Sequence, residues 1–483
     1  MTTSPSPRSF ASPTSDPRFD FAGATEIAQA VRLGEMTAEA VVEALLARLP
    51  GRDETVNSFT DVTADRALAD AAAIDADRAA GRPLGPLAGV PFAVKNLFDV
   101  EGLPTRAGSK INRDRAPARE DGVLVARMRA AGAVLVGALN MGEYAYDFTG
   151  ENAHDGACRN PHDPARMSGG SSSGCGGATA AGLAPISLGS DTNGSLRVPA
   201  SLCGVLSLKP TYGRLPRSGT FGFVDSLDHL GPLARTAGDL ALAYDALQGP
   251  DAHDHGCAGR AAEPTLPRLR AGVAGLRVAV LGGWFAERAG GEARAAVSEV
   301  AESLRAAGAR IGAAELPGAE AGRAAAYLIT NAESAAFHLP RLRSRPMDFD
   351  PDTRDRFLAG ALLPAAWIAR AQAVRRAWLG QALRVFAGAD LLIAPATPCP
   401  APLRGEKILT IAGRDYPLRP SLGLLAQPFS AIGLPVATVP VFAPGTLPIG
   451  VQIIAAPWRE DLCLRAAAAL EAAGTAIAHP PRL

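Results

Sequence analysis

A chain of 483 residues has room for two or three ordinary domains, or for one large α/β domain. Its 48 Lys plus Arg equal its 48 Asp plus Glu, which leaves no basic footprint for nucleic acid. Apolar residues make up 47% of the sequence, ample for a large core, yet no run long enough to span a bilayer is free of Gly, Pro or charge.

Residues 1–19 are rich in Ser, Pro and Thr, lack an apolar stretch, and read as a disordered tail and not a signal peptide. Residues 25–49 read as two helices broken near Gly34. Thr37 caps the second, Glu39 sits in its first turn, and Val41, Val42, Leu45, Leu46 and Leu49 form its apolar stripe. An alanine-rich helix from Ala64 to Ala80 stops at Gly81. A Pro/Gly loop then leads into a strand over 92–94 with Lys95 at its C-terminal end, where ligands bind in α/β sheets. A helix over 121–131 and a buried strand over 134–137 continue a strand–helix–strand rhythm that argues for a largely parallel sheet.

The densest stretch runs from Met167 to Arg214. Gly169, Gly170, Gly174, Gly176 and Gly177 surround Ser171, Ser172 and Ser173, and Ser195 follows the turn Asp191-Thr192-Asn193-Gly194. A short helix over 178–182 and a short strand over 185–188 separate the two serine sites. Two hydroxyl-bearing loops beside glycine N–H groups supply what acyl transfer needs, a nucleophile and an anion hole. Serine requires a base. The seven histidines form no triad motif, whereas Lys95 sits among Phe92, Val94, Leu97 and Phe98, a setting that disfavours the ammonium form. Gly170 to Gly174 also spells a G-x-S-x-G elbow centred on Ser172. That elbow needs a strand directly before it, and 160–166 is polar, contains Pro and reads as a loop. Ser172 therefore reads as a support for the loop, and Asp191 with Arg197 as an ion pair fixing the turn.

Beyond the motif, the reading places a strand over 206–208, a helix over 239–248 and a low-order connector over 250–269. A strand over 277–281, a helix over 291–307 and a strand over 311–315 follow, then a helical block over 319–387. Strands over 391–394, 436–441 and 450–454 and a helix over 461–473 close the chain. His253, Asp254, His255 and Cys257 lie in the connector without a defined ligand spacing, so they read as a solvated loop and not a metal site. The six cysteines have no paired spacing and read as thiols in a reducing, cytoplasmic compartment.

The stretch from Met167 to Arg214, with its Asp-Thr-Asn-Gly-Ser-Leu-Arg-Val-Pro-Ala segment and Lys-Pro-Thr-Tyr-Gly-Arg end, resembles the amidase signature family, as does Pro91 to Asp99 upstream. The resemblance implies one continuous α/β/α domain over 20–483, a mixed central sheet flanked by helices, and a catalytic core over about 90–235. It implies Ser195 as nucleophile, Ser171 as a bridging serine held by a cis peptide, and Lys95 as the base. Backbone N–H groups of Thr192, Asn193, Gly194 and Ser195 would form the oxyanion hole, with no metal or cofactor. Ser173, Cys175 and Asn193 depart from the common family pattern without removing a catalytic group.

Within the family, the chain resembles a branch of cyanuric acid degradation that deaminates 1-carboxybiuret to urea-1,3-dicarboxylate and ammonia. Ala107 to Arg113, Leu281 to Phe285, Ile393 to Pro398 and Gln452 to Trp458 carry that likeness. It implies a small carboxylated ureido substrate and a small helical partner subunit in a heterotetramer, without nucleic acid or membrane. A carboxylated substrate needs a cationic anchor, for which Arg356 and Arg370 are the candidates. Three other readings stay open: another ureido acid such as oxalurate, the glutaminase component of the tRNA-dependent amidotransferase, and a non-catalytic scaffold.

Overall fold

Eleven strands hydrogen-bond into one mixed sheet in the computed structural model, which describes residues 20–443 and 445–482. The tail expected over 1–19 lies outside the described residues. In chain order the strands are β1 (Phe59–Val62), β2 (Pro91–Lys95), β3 (Val134–Leu139), the two-residue β4 (Arg159–Asn160), β5 (Asp163–Met167), β6 (Ile186–Asp191), β7 (Leu206–Lys209) and β8 (His229–Ala234). The second half adds β9 (Arg277–Leu281), β10 (Arg310–Ala314), β11 (Leu391–Pro395), β12 (Ile408–Ile411), β13 (Arg414–Pro417), β14 (Val436–Val441) and β15 (Ile449–Ala455). Across the main sheet the order is β1-β3-β2-β6-β8-β7-β14-β15-β11-β9-β10, while β4 with β5 and β12 with β13 form separate hairpins. Both halves of the chain share this sheet, so the fold is a single α/β domain.

Helices cover both faces. That is why β2, β3 and β6 read as continuous apolar or small-residue runs, buried at every position. β2 pairs parallel with β6, and β6 pairs antiparallel with β8, which in turn pairs antiparallel with β7. β2, β6 and β7 therefore point the same way and bring Lys95, Asp191 and Lys209 to the same, C-terminal end of the central strands.

Most expected elements are present with shifted ends. Thr37 caps its helix by accepting the Ala40 N–H at 3.1 Å, and that helix continues past Pro50 to Val56. The serine-rich loop turns helical at once, over Ser173–Ala180, not at 178. The glycines there meet packing demands instead of marking a loop: a Cβ on Gly174 would lie 2.4 Å from the Ser58 carbonyl oxygen and 2.6 Å from the Asn140 nitrogen. The helical block resolves into Ala319–Ser344, Pro351–Ala361 and Ala365–Val385. Central strand β8 was not expected, because its Gly231-Pro232 pair looks like a strand breaker. Gly231 is required there, since a Cβ would lie 2.1 Å from the Leu208 carbonyl oxygen. Residues 160–166, read as a loop, mostly form the β4–β5 hairpin. The strand before Ser171 thus belongs to an outlying hairpin and not to the central sheet that a nucleophile elbow needs.

No single helix among the described residues is long and apolar enough to cross a membrane.

Candidate active site

Lys95 ends β2 with no exposed surface. Its Nζ donates to Ser171 Oγ at 2.7 Å and to Ser190 Oγ at 2.9 Å. Burial pulls its pKa down from 10.5 to about 8, and the neighbouring Cys175 with Asp228, Asp191 and Asp147 only partly opposes that shift. Neutral lysine is thus within reach near neutral pH, and its partners are hydroxyls that can themselves pass a proton on.

The Gly170–Ser171 peptide is cis, as the family resemblance implied. Ser172 precedes the helix Ser173–Ala180. Its N–H donates to the Ser195 carbonyl at 3.3 Å, and its hydroxyl donates to the Ser190 carbonyl at 3.1 Å while accepting the Ser190 N–H at 3.2 Å. Ser172 therefore ties together the two serine loops and the end of β6. Ser173 and Cys175 turn into the same core, bonding the Asn140 and Leu188 carbonyls, and burial pushes the Cys175 thiol up to about 12.

Asp191 organises the turn before Ser195. It is fully buried and accepts from the Gly194 N–H at 2.7 Å and the Leu196 N–H at 3.2 Å. Arg197, also fully buried, grips it bidentately at 2.9 and 3.0 Å. Despite burial, that guanidinium and its hydrogen bonds hold the Asp191 carboxyl well below the usual carboxylate range. Arg197 also donates to the Ala426 carbonyl at 2.9 Å and to Gln452 Oε1 at 2.6 Å, which anchors the turn to the second half of the chain. The ion pair thus braces the loop that carries Ser195. Gly194 differs from expectation: its N–H, expected in an anion hole, is committed to Asp191.

Ser195 opens into a cavity of about 20 Å³, room for about one water molecule. Thr192, Asn193, Tyr146, Phe148, Thr330 and Arg356 are among its walls. Arg356 is half-buried, lies 3.4 Å over the Tyr146 ring and donates to the Tyr146 carbonyl at 2.7 Å. It forms no ion pair among the described residues, unlike Arg419, which is engaged by Asp147, Glu151 and Asp352. Arg370 does not join the site. It is exposed on the helix Ala365–Val385 and lines neither this cavity nor its neighbour, because it sits on the outer face of its helix.

A larger cavity of about 490 Å³ shares Ala145 and Phe223 with the small one and has Ser190 among its walls. Asp228, one of its walls, accepts from Thr192 Oγ1 at 2.6 Å and from the Phe223 and Val224 amides, so its carboxylate ties loop to loop. Asp254, from the connector, is taken up by Arg217 at 3.0 Å.

Sequence reasoning missed Ser190, the second acceptor of Lys95, and Thr330, whose Oγ1 receives the Asn193 Nδ2 at 2.8 Å. Ser190 carried a signal, a hydroxyl at the C-terminal end of a buried strand one residue before Asp191. Thr330 carried none, being one polar residue in a 26-residue helix.

A family model described as Amidase matches residues 40–464. AtzE, a 1-carboxybiuret hydrolase subunit from Pseudomonas sp. (strain ADP), is 54% identical over 457 residues, covering 93% of this chain and 98% of that protein. A glutamyl-tRNA(Gln) amidotransferase subunit of Chloroflexus aurantiacus (strain ATCC 29366 / DSM 635 / J-10-fl) is 35% identical, covering 90% of this chain and 93% of that protein. Among solved structures, an s-triazine catabolic enzyme described in a vestigial protein complex superimposes with a TM-score of 0.93 at 53% identity, over 95% of this chain and 100% of that one. The chain belongs to the amidase family and is a hydrolase of amide C–N bonds.

Proposed function

We propose that this hydrolase deaminates a small carboxylated ureido substrate, 1-carboxybiuret, to urea-1,3-dicarboxylate and ammonia, with Ser195 as nucleophile and Lys95 acting through Ser171. The buried Lys95–Ser171 contact beside the cavity that opens on Ser195 carries this reading. Neutral Lys95 takes the Ser171 proton as Ser171 takes that of Ser195, and Ser195 Oγ bonds to the terminal carbonyl carbon. The amides of Thr192 and Asn193 receive the oxyanion. The C–N bond then breaks as the relay returns its proton to the nitrogen, which leaves as ammonia. Water attacks the acyl carbon, passes a proton into the same relay, and releases the carboxylate as Ser195 recovers its hydrogen.

Two observations support the substrate class. Arg356 lines the cavity with a guanidinium that no carboxylate among the described residues engages, which suits it to a substrate carboxylate once the cavity walls part to admit the substrate. The relative with 54% identity over nearly the whole of both chains bears the name of a 1-carboxybiuret hydrolase subunit. A small helical partner subunit in a heterotetramer, and a cytoplasmic location, belong to the same reading. The description of the similar solved structure as a protein complex supports the partner.

Ammonia release by the purified protein, alone and co-expressed with a candidate small partner, tests the reading on 1-carboxybiuret generated in situ, biuret, oxalurate and glutamine. The expected result is a preference for 1-carboxybiuret that Ser195→Ala abolishes. Arg356→Gln should raise KM for it about 100-fold while changing that for neutral biuret little. A preference for glutamine or oxalurate overturns the substrate, and turnover unchanged in Ser195→Ala overturns the mechanism.

A further inference from the structure

Asn193 occupies the turn between Asp191 and Ser195, and it is 7% exposed within the wall of the Ser195 cavity. Its carboxamide is held at one end only. Nδ2 donates to Thr330 Oγ1 at 2.8 Å, while Oδ1 is buried and has no hydrogen-bond partner. A buried carbonyl oxygen without a donor is destabilising, and the cavity that Asn193 lines is where a donor can approach it.

The surrounding walls narrow the identity of that partner. Thr330 and Asn331 are consecutive on the helix Ala319–Ser344. The first holds the Asn193 carboxamide, and the second accepts the Tyr146 hydroxyl, on whose ring Arg356 lies. One helix turn therefore fixes a lone acceptor and a cation on the walls of the same small cavity, with Phe148 and Phe223 as apolar walls. An anion accepts hydrogen bonds and cannot satisfy Oδ1; an N–H group can.

We infer that Asn193 is a specificity-determining residue whose Oδ1 accepts the N–H on the acyl side of the reacting carbonyl, selecting ureido acids over plain amide acids of the same length. Thr330 is its positioning residue. The inference deepens the reading of Ser195 as the reacting centre and rests on it. It assigns the acceptor a task that the catalytic relay does not perform.

Binding of two isosteric probes separates these claims. Hydantoate carries an N–H between its terminal carboxamide and the carboxymethyl group, and succinamate has a methylene in that place. Calorimetric titration of the intact protein, or of its complex if a partner is required, should show hydantoate binding about tenfold more tightly than succinamate. In Asn193→Ala the two dissociation constants should converge through loss of hydantoate affinity, with succinamate changed less than about threefold. Thr330→Val, which leaves the Asn193 backbone untouched, should reduce the preference in the same direction. Circular dichroism checks that each variant is folded. Equal affinities in the unsubstituted protein, absence of binding by both probes, a preference that survives Asn193→Ala, or a parallel loss for both probes each overturns the inference. Ammonia release by Ser195→Ala reports on the catalytic reading separately, because the binding comparison needs no turnover.

Discussion

Lys95 and Lys209 end two strands that run the same way, at the same end of the sheet, and both are fully buried. Burial lowers the pKa of each, to about 8 for Lys95 and about 7 for Lys209, where Arg197 adds to the effect. By burial and supply of neutral amine alone, Lys209 would be the readier base. What separates them is the company of the nitrogen. Lys95 donates to two hydroxyls, Ser171 and Ser190. Lys209 donates to the carbonyls of Pro210 and Leu434. A hydroxyl both accepts and donates, so it can hand a proton onward, whereas a peptide carbonyl ends the chain. A shifted pKa locates buried amines; the onward partner tells a base from a brace.

Substituting each lysine in turn puts the largest strain on this contrast. Lys95→Met should lower ammonia release about 10³-fold or more with the fold preserved. Lys209→Met should leave turnover within about tenfold but cost about 1–3 kcal/mol of unfolding free energy, because two buried carbonyls lose their donor. Rate assays paired with denaturant unfolding separate these outcomes, and the reverse pattern would exchange the two roles.

A pH series sharpens the contrast. With its pKa lowered to about 8, Lys95 is neutral above that pH and protonated below it, so kcat/KM should fall as pH drops through about 8. The same shift has a stability consequence. Between about 8 and the 10.5 of an ordinary lysine the unfolded chain binds the extra proton, so stability rises with pH across that window. Lys95→Met should flatten that rise. Lys209→Met should flatten a rise that begins lower, near pH 7.

The smallest effects are expected at the supporting hydroxyls. Ser190→Ala removes one of the two acceptors that favour the Lys95 ammonium. It should move the acid limb to lower pH and reduce the rate several-fold. Ser172→Ala should cost less, within about threefold, since its backbone N–H still reaches the Ser195 carbonyl. Loss at Ser172 equal to that of Ser195→Ala would restore the elbow reading.

Local pattern made much of this legible. The run from Ile186 to Leu188 marks a buried strand, Thr37 marks a helix start, and the spacing of Lys95, Ser171 and Ser195 follows from the motifs. Long-range packing hid the rest. Strand β8 carries Gly231-Pro232 because Leu208 presses on Gly231, a fact of the neighbouring strand and not of its own sequence. The commitment of the Gly194 amide to Asp191 needed coordinates, as did the choice between Arg356 and Arg370. Those two arginines look alike in sequence; what sets them apart is that Arg356 lines the cavity, half-buried over the Tyr146 ring, while Arg370 is exposed. Thr330 was illegible for the same reason, 137 positions from the residue it holds.

The groups assigned to bond breaking come from strand ends and loops between Lys95 and Ser195, while Tyr327, Thr330 and Arg356 come from helices far later in the chain. Mutations in the two sets therefore touch different terms of the same reaction. Asn193 bridges the two sets: it belongs to the turn before Ser195, while Thr330 on a late helix holds its carboxamide, so a change in that helix can retune which acid is admitted without touching the proton relay. The late helices thus shape the cavity at one remove from the residues that move the proton.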